Sequence, residues 1–194
     1  LKRTNVPVEF TKEQIKEYQK CMDDPLYFIQ EYMKIVSLDE GLVPFNMYDF
    51  QKKMVQTFHD NRFTICKLPR QSGKSTTIIA YLLHYVLFNQ NVNIAILANK
   101  SSTARDILGR LQLGYENLPK WLQQGVVSWN KGSLDLENGS SILAASTSAS
   151  AIRGGSYNMI FLDEFAFVPT NIAEMFFSSV YPTISSGQST KIII

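Results

Sequence analysis

A chain of 194 residues with 45% hydrophobic content has room for one α/β domain with a sizeable core, and that composition fits a globular protein and not a disordered one. Its formal net charge of +2 is too small to require a nucleic-acid partner, so DNA binding has to be argued from elsewhere. Cys21 and Cys66 make no spaced metal or disulfide framework, no apolar run approaches a membrane span, and no secretory leader opens the chain; a soluble protein in a reduced cytoplasmic compartment is expected. Both ends read as cuts, because the chain starts at Leu1 and stops inside the apolar run Lys191-Ile192-Ile193-Ile194, so a fragment of a longer protein is expected.

Thr11 and Gln14 have capping-box spacing and start a helix to about Cys21, and Asp24-Pro25 restarts helix through Leu26, Ile29, Met33 and neighbours. Gly41 to Asn46 reads as a loop and Tyr48 to Phe58 as another helix, which makes residues 1–60 a helical preface to a core over 61–194. In that core, Phe63 to Leu68 is expected to be the first buried strand. The helix after Lys74 then places Ile78, Leu82, Val86 and Ile79, Leu83, Leu87 on one face at spacing four. Asn93 to Ala98 is a second apolar strand, and a helix runs from about Ser102 to Leu113; the alternation predicts parallel pairing with right-handed crossovers. Three short strands follow, Val126 to Trp129, Ser133 to Leu136 and Ser141 to Ala145, with Asn138-Gly139 as the hairpin turn between the last two. Ser146 to Ser156 reads as a loop, Met159 to Leu162 as a strand running into Asp163-Glu164, Thr170 to Val180 as helix and Thr190 to Ile194 as a final strand; no internal repeat is visible.

Two segments carry chemistry. In Pro69-Arg70-Gln71-Ser72-Gly73-Lys74-Ser75-Thr76 a turn joins an apolar strand to an apolar helix, and consecutive N–H groups at a helix N-terminus make an anion cradle. Lys74 would reach the β- and γ-phosphates of a nucleotide and Ser75 would offer a hydroxyl to Mg²⁺. At the second segment Asp163 would hold Mg²⁺ or its water and Glu164 would polarise the attacking water, so the pair implies ATP hydrolysis and not binding alone. A glycine-lysine-serine tripeptide is common by itself, and the usual motif has glycine where this chain has Leu68. The strand before it, the helix after it and the acidic strand further on are what raise the signal above an ordinary turn.

With these residues in place, the chain resembles the ATPase domain of the large terminase subunit of tailed bacteriophages, most closely the T-even type. Asp24 to Ile29 looks like the family's lead-in, Pro44 to Gln51 like its adenine-recognition motif, and Arg70 to Ser75 like its variant phosphate loop, which also lacks the first glycine. The resemblance implies an α/β, RecA-like P-loop ATPase of the additional-strand, catalytic-Glu class, with a mainly parallel central sheet and helices on both faces. It implies a motor that drives double-stranded DNA into a preformed capsid, in the cytoplasm of the infected host and without persisting in the virion. The portal protein, the small terminase subunit and a homo-oligomeric ring are the implied partners. The family's C-terminal nuclease domain and its coupling motif would lie beyond Ile194, so no nuclease activity is expected from this fragment.

On that resemblance Gln51, with Phe50 or Tyr48 near the base, makes an amide contact with adenine; without it, a polar residue on an amphipathic helix is the plainer reading. Arg70 has either a charge-neutralising role on the γ-phosphate or a structural salt bridge within the loop, and the resemblance favours the first. Arg153 would sense nucleotide or serve a neighbouring subunit, against the commoner solvated arginine, and the loop Asn99 to Ser102 is poised between facing DNA and simply joining strand to helix. Phe165, Phe167, Met175, Phe176 and Phe177 are expected in the core, and His59 and His84 are assigned no chemistry. Other functions fit the same motifs less well: the first RecA-like domain of a helicase-type translocase, a small-molecule kinase, or an ATP-gated assembly clamp without an enzymatic role.

Overall fold

The computed structural model describes residues 1–37, 39–148, 152, 155–185 and 189–194, with backbone alone over 181–185. In chain order the elements are α1 (Lys12–Asp23), α2 (Pro25–Tyr32), β1 (Lys34–Ser37), β2 (Gly41–Pro44), α3 (Asp49–Asp60), β3 (Phe63–Thr64), α4 (Lys74–Phe88), β4 (Asn93–Ala98), α5 (Ser101–Glu116), β5 (Val126–Trp129), β6 (Ser133–Leu136), β7 (Ser141–Ser146), β8 (Met159–Asp163), α6 (Thr170–Ser185) and β9 (Lys191–Ile193). The expected helix starts are present. Gln14 N–H donates to Thr11 Oγ1 at 3.1 Å while Thr11 N–H donates to Gln14 Oε1 at 3.0 Å. Asp24 Oδ1 accepts from Leu26 and Tyr27, with Pro25 at the first helical position where its missing N–H costs nothing. Each such cap is worth about 1 kcal/mol.

Seven strands form one sheet in the order β3-β9-β8-β4-β7-β6-β5. The ladders from β3 to β7 are parallel, and β7-β6-β5 is an antiparallel meander that extends the sheet. Gly139, at φ +80°, makes the β6–β7 turn in the left-handed region that glycine enters without a Cβ clash. The larger core lies on one face, where β4 and β8 send Ile94, Ile96, Met159 and Phe161 towards α4, α2 and α3. On the other face Ala95, Leu97, Ile160 and Leu162 meet Phe176 and Val180 of α6. Alternate residues of one strand thus enter opposite cores, the pattern of a sheet covered on both sides. Buried residues surround α4 on nearly every side, so its two apolar rows contact both the sheet and the preface helices.

Three expectations are corrected. Gly41 to Asn46 is not a plain loop: β2 pairs antiparallel with β1, Lys34 opposite Pro44 and Ser37 opposite Gly41. Phe63 to Leu68 is not a buried strand: only Phe63–Thr64 pairs as strand, at the sheet edge, leaving Phe63 52% and Ile65 77% exposed. Phe63 and Ile65 look outward from this edge, whereas Cys66 and Leu68 pack partly against the larger core. Of the five residues expected in the core, Phe176 is buried and Phe165 and Phe177 pack against it, but Phe167 and Met175 are exposed.

β9 does more than fill the sheet. Lys191 Nζ donates to the carbonyls of Phe58, His59 and Asn61 at 2.9, 2.8 and 3.0 Å, placing a cation at the end of α3 where the carbonyl dipoles accumulate. Partial burial lowers the Lys191 pKa. Among the described residues, no helix is long and apolar enough to cross a membrane.

Candidate functional site

The segment after β3 hangs from the sheet edge by Cys66 N–H, which donates to Ile194 O at 2.7 Å, while Ile194 N–H donates to Thr64 O at 2.9 Å. Beyond Cys66 the chain turns through two left-handed residues, Gln71 at φ 61° and Gly73 at φ 73°, on either side of Ser72. Alternating handedness of this kind builds concave backbone nests for anions. Gly73 is the N-cap of α4, no side chain caps that end, and the first turn holds no acidic residue; instead Lys74 stands at its first position. A cation at a helix N-terminus opposes the dipole unless an anion sits between them. Ser72 Oγ is buried without a hydrogen-bond partner, a second polar group prepared for something external.

Gln51 holds this turn from behind. Its Nε2 donates to Ser72 O at 3.1 Å, and its Oε1 accepts from Tyr48 N–H at 2.9 Å, so one amide both caps α3 and braces the loop. A Cβ added to Gly73 would come 2.5 Å from Gln51 Nε2 and push that amide off Ser72 O, a cost added to the strain of the left-handed φ. Gln51 is 3% exposed, whereas its neighbours Tyr48 and Phe50 are exposed and stack on each other, centroids 5.9 Å apart and planes within 9°.

The acids lie at the same end of the sheet. Asp163 closes β8 opposite Ala98 of β4, at the carboxyl edge where parallel α/β sheets bind ligands. It is 8% exposed, and burial followed by repulsion from Glu164 raises its pKa, offset in part by Lys74 and Arg110. Glu164 leaves the strand at φ 50°, a left-handed conformation uncommon for a residue with a Cβ, and is exposed. A cleft of about 470 Å³ joins the two halves, with Lys67, Arg70, Lys74, Asp163 and Glu164 among its lining residues. Cys66 also lines it, and burial pushes its thiol pKa up, so it is no thiolate nucleophile. The Arg70 guanidinium lies 6.0 Å from the centroid of the exposed Phe167 ring.

Of the residues expected here, Arg70, Lys74, Asp163 and Glu164 share the cleft, and Gln71, Ser72, Gly73 and Ser75 form the turn and helix start beside it. Thr76 lines a different cleft of about 320 Å³, together with Ile35 and Arg110. Arg153 lies outside the described residues. Lys67 and Arg110 escaped the sequence reading. Lys67 was visible as a third cation in the loop, whereas no sequence spacing places Arg110 of α5 within electrostatic reach of Asp163.

Comparison with known proteins gives a consistent answer. The sequence model of the family described as the N-terminal part of the T4likevirus-type terminase large subunit matches residues 65–179. The fold is similar to the crystal structure of the HK97 bacteriophage large terminase, with a TM-score of 0.71 at 19% identity over 89% of this chain and 36% of that one. It is also similar to a mutant ATPase domain of the Thermus phage P74-26 large terminase, with a TM-score of 0.61 and 21% identity over 77% and 65% of the two chains. A large terminase of a thermophilic bacteriophage, solved in complex with ADP, gives 0.56 at 16% identity over 77% of this chain and 38% of that one. The chain thus spans little more than a third of the HK97 protein.

Proposed function

Because this chain belongs to the family of T4-like terminase large subunits, matched over its N-terminal part, we propose that it hydrolyses ATP to ADP and phosphate and that this hydrolysis drives double-stranded DNA into a procapsid. The observation that carries the reading is the single cleft in which Lys74 and Arg70 face Asp163 and Glu164, at the end of an uncapped helix whose first turn has no acid. The turn around Ser72 and the first N–H groups of α4 receive the phosphates. Lys74 and Arg70 neutralise charge on the transferred group, and Glu164, exposed at the cleft and turned out of its strand, orients the attacking water. Gln51 acts on the nucleotide through the loop it braces, while the stacked Tyr48 and Phe50 offer an aromatic face for the base.

Mg²⁺ fits these residues: burial, and then repulsion from the single neighbouring carboxylate of Glu164, raise the Asp163 pKa, a cost of charge that a divalent cation relieves, and Ser75 follows Lys74 in the first turn of α4. Ser75 and Asp163 would hold the ion, which would supply charge neutralisation for the β- and γ-phosphates. Residues 1–60 and 61–194 are proposed to act as one ATPase unit, since α2 and α3 pack into the same core as α4. The resemblance also supports a portal protein, a small terminase subunit and further copies of the chain as partners, in the host cytoplasm. Glu164→Gln tests the hydrolytic assignment: nucleotide affinity is retained and turnover falls by orders of magnitude, and unchanged turnover removes Glu164 from the reaction.

A further inference from the structure

We propose that the exposed face of α5, with the β5–β6 turn beside it, binds the phosphodiester backbone of double-stranded DNA through Arg105, Arg110 and Lys131, with Gly109 admitting the strand against the helix. The choice of DNA rests on the packaging reading above. Arg105, Arg110 and Lys131 line one open groove of about 610 Å³, with Ser102 and Gln112 as neutral polar neighbours and Asp106 as its single carboxylate. All three cations are exposed, and among the described residues none takes part in an ion pair. Excess positive charge gathered in one groove of a chain whose net charge is only +2 is a local feature and not a general basicity. Arg105 and Arg110 stand on opposite flanks of the groove, with Gly109 between them on α5.

Gly109 is the independent observation. Glycine is the costliest residue after proline in a helix interior, and α5 has two. Gly114 is explained by packing, since a Cβ there would meet Met33 Cε at 3.0 Å. Gly109 lies exposed between the two arginines, and a Cβ there would meet nothing within 4 Å, so nothing inside the molecule calls for it. A backbone pressed close from outside does. Arg110 also lines the cleft beside Thr76.

The test is fluorescence anisotropy with a labelled mixed-sequence duplex across a salt series, alongside binding of a fluorescent ATP analogue. Arg105→Ala/Lys131→Ala is expected to reduce the slope of log affinity against log salt by roughly 1.8, at about 0.9 per lost phosphate contact, and to leave binding of the ATP analogue unchanged. Gly109→Ala is expected to raise Tm by about 2–4 °C and yet weaken DNA binding, a combination that a merely solvated face does not produce. Unchanged DNA affinity and slope in these variants overturns the groove and leaves the packaging reading intact. A wild-type chain that hydrolyses ATP but binds no duplex also overturns the groove while keeping the hydrolytic site. One that binds DNA through these residues but turns over no ATP upholds the groove and refutes the motor reading.

Discussion

Replacing Gln51 with leucine keeps the buried volume and removes both amide contacts, to Tyr48 N–H and to Ser72 O. Each lost hydrogen bond is worth about 1 kcal/mol, and a buried partner left unpaired raises the cost towards 1–3 kcal/mol. At about 2–4 °C per kcal/mol for a chain of this size, Tm is expected to fall by several degrees. If the bond to Ser72 O holds the turn in its binding geometry, losing about 1 kcal/mol lowers nucleotide affinity roughly fivefold. This loss acts on the phosphate cradle, so it is expected to be equal for ATP and GTP. Titration of wild type and Gln51→Leu with fluorescent analogues of both nucleotides checks it. A loss for ATP tenfold greater than for GTP would show that the amide reads the adenine edge, and no loss for either would show that it does not hold the loop; each result refutes the bracing argument.

Two further predictions follow from buried titratable groups. The Asp163 pKa is raised above its ordinary 3.8, so folding favours its protonated form, and the stability it contributes at low pH is lost as pH rises through the folded value. Asp163→Asn is therefore expected to melt higher than wild type at pH 7 without nucleotide, a difference that closes below pH 4, and to lose the tightening of nucleotide binding by Mg²⁺. His84 shows the opposite sign: burial lowers its pKa to about 4, Nε2 contacts Cys21 O at 2.8 Å, and Nδ1 is buried without a partner. Stability present above pH 6.5 is lost as pH falls towards 4, by up to about 3 kcal/mol at 1.36 kcal/mol per pKa unit. His84→Gln, which cannot titrate, is expected to flatten that part of the stability profile in urea unfolding, and identical profiles would refute the assignment.

Much of this architecture is legible in the sequence because local chemistry and tertiary position agree. Thr11 with Gln14, Asp24-Pro25 and Asn138-Gly139 each specify a cap or a turn by side chains a few residues apart, and the structure has each of them. The acidic strand and phosphate turn are legible for the same reason, since each half of the site is a short continuous motif. What was missed depends on neighbours remote in sequence. Lys34 to Ser37 is too short to reveal its period, so β1 and β2 were hidden. An apolar run such as Phe63 to Leu68 reads alike whether a sheet covers both its sides or one, and only the strand order decides. The bracing role of Gln51 depends on a contact between two motifs 21 residues apart, and Arg110 reaches Asp163 only through the placement of α5 on the sheet.

The strand order also bears on how the two halves of the site are held together. β9 separates β3 from β8, so the strand that carries the turn and the strand that carries the acids never touch each other. Both lean on Lys191–Ile193, which follows the other strands of the sheet in chain order. Without β9 the two halves, about two strand spacings or roughly 10 Å apart, are joined through the packing of α4 on β8 and not through the sheet. Pairing of β9 thus closes the sheet and ties the strand before the turn to the strand that ends in the acids.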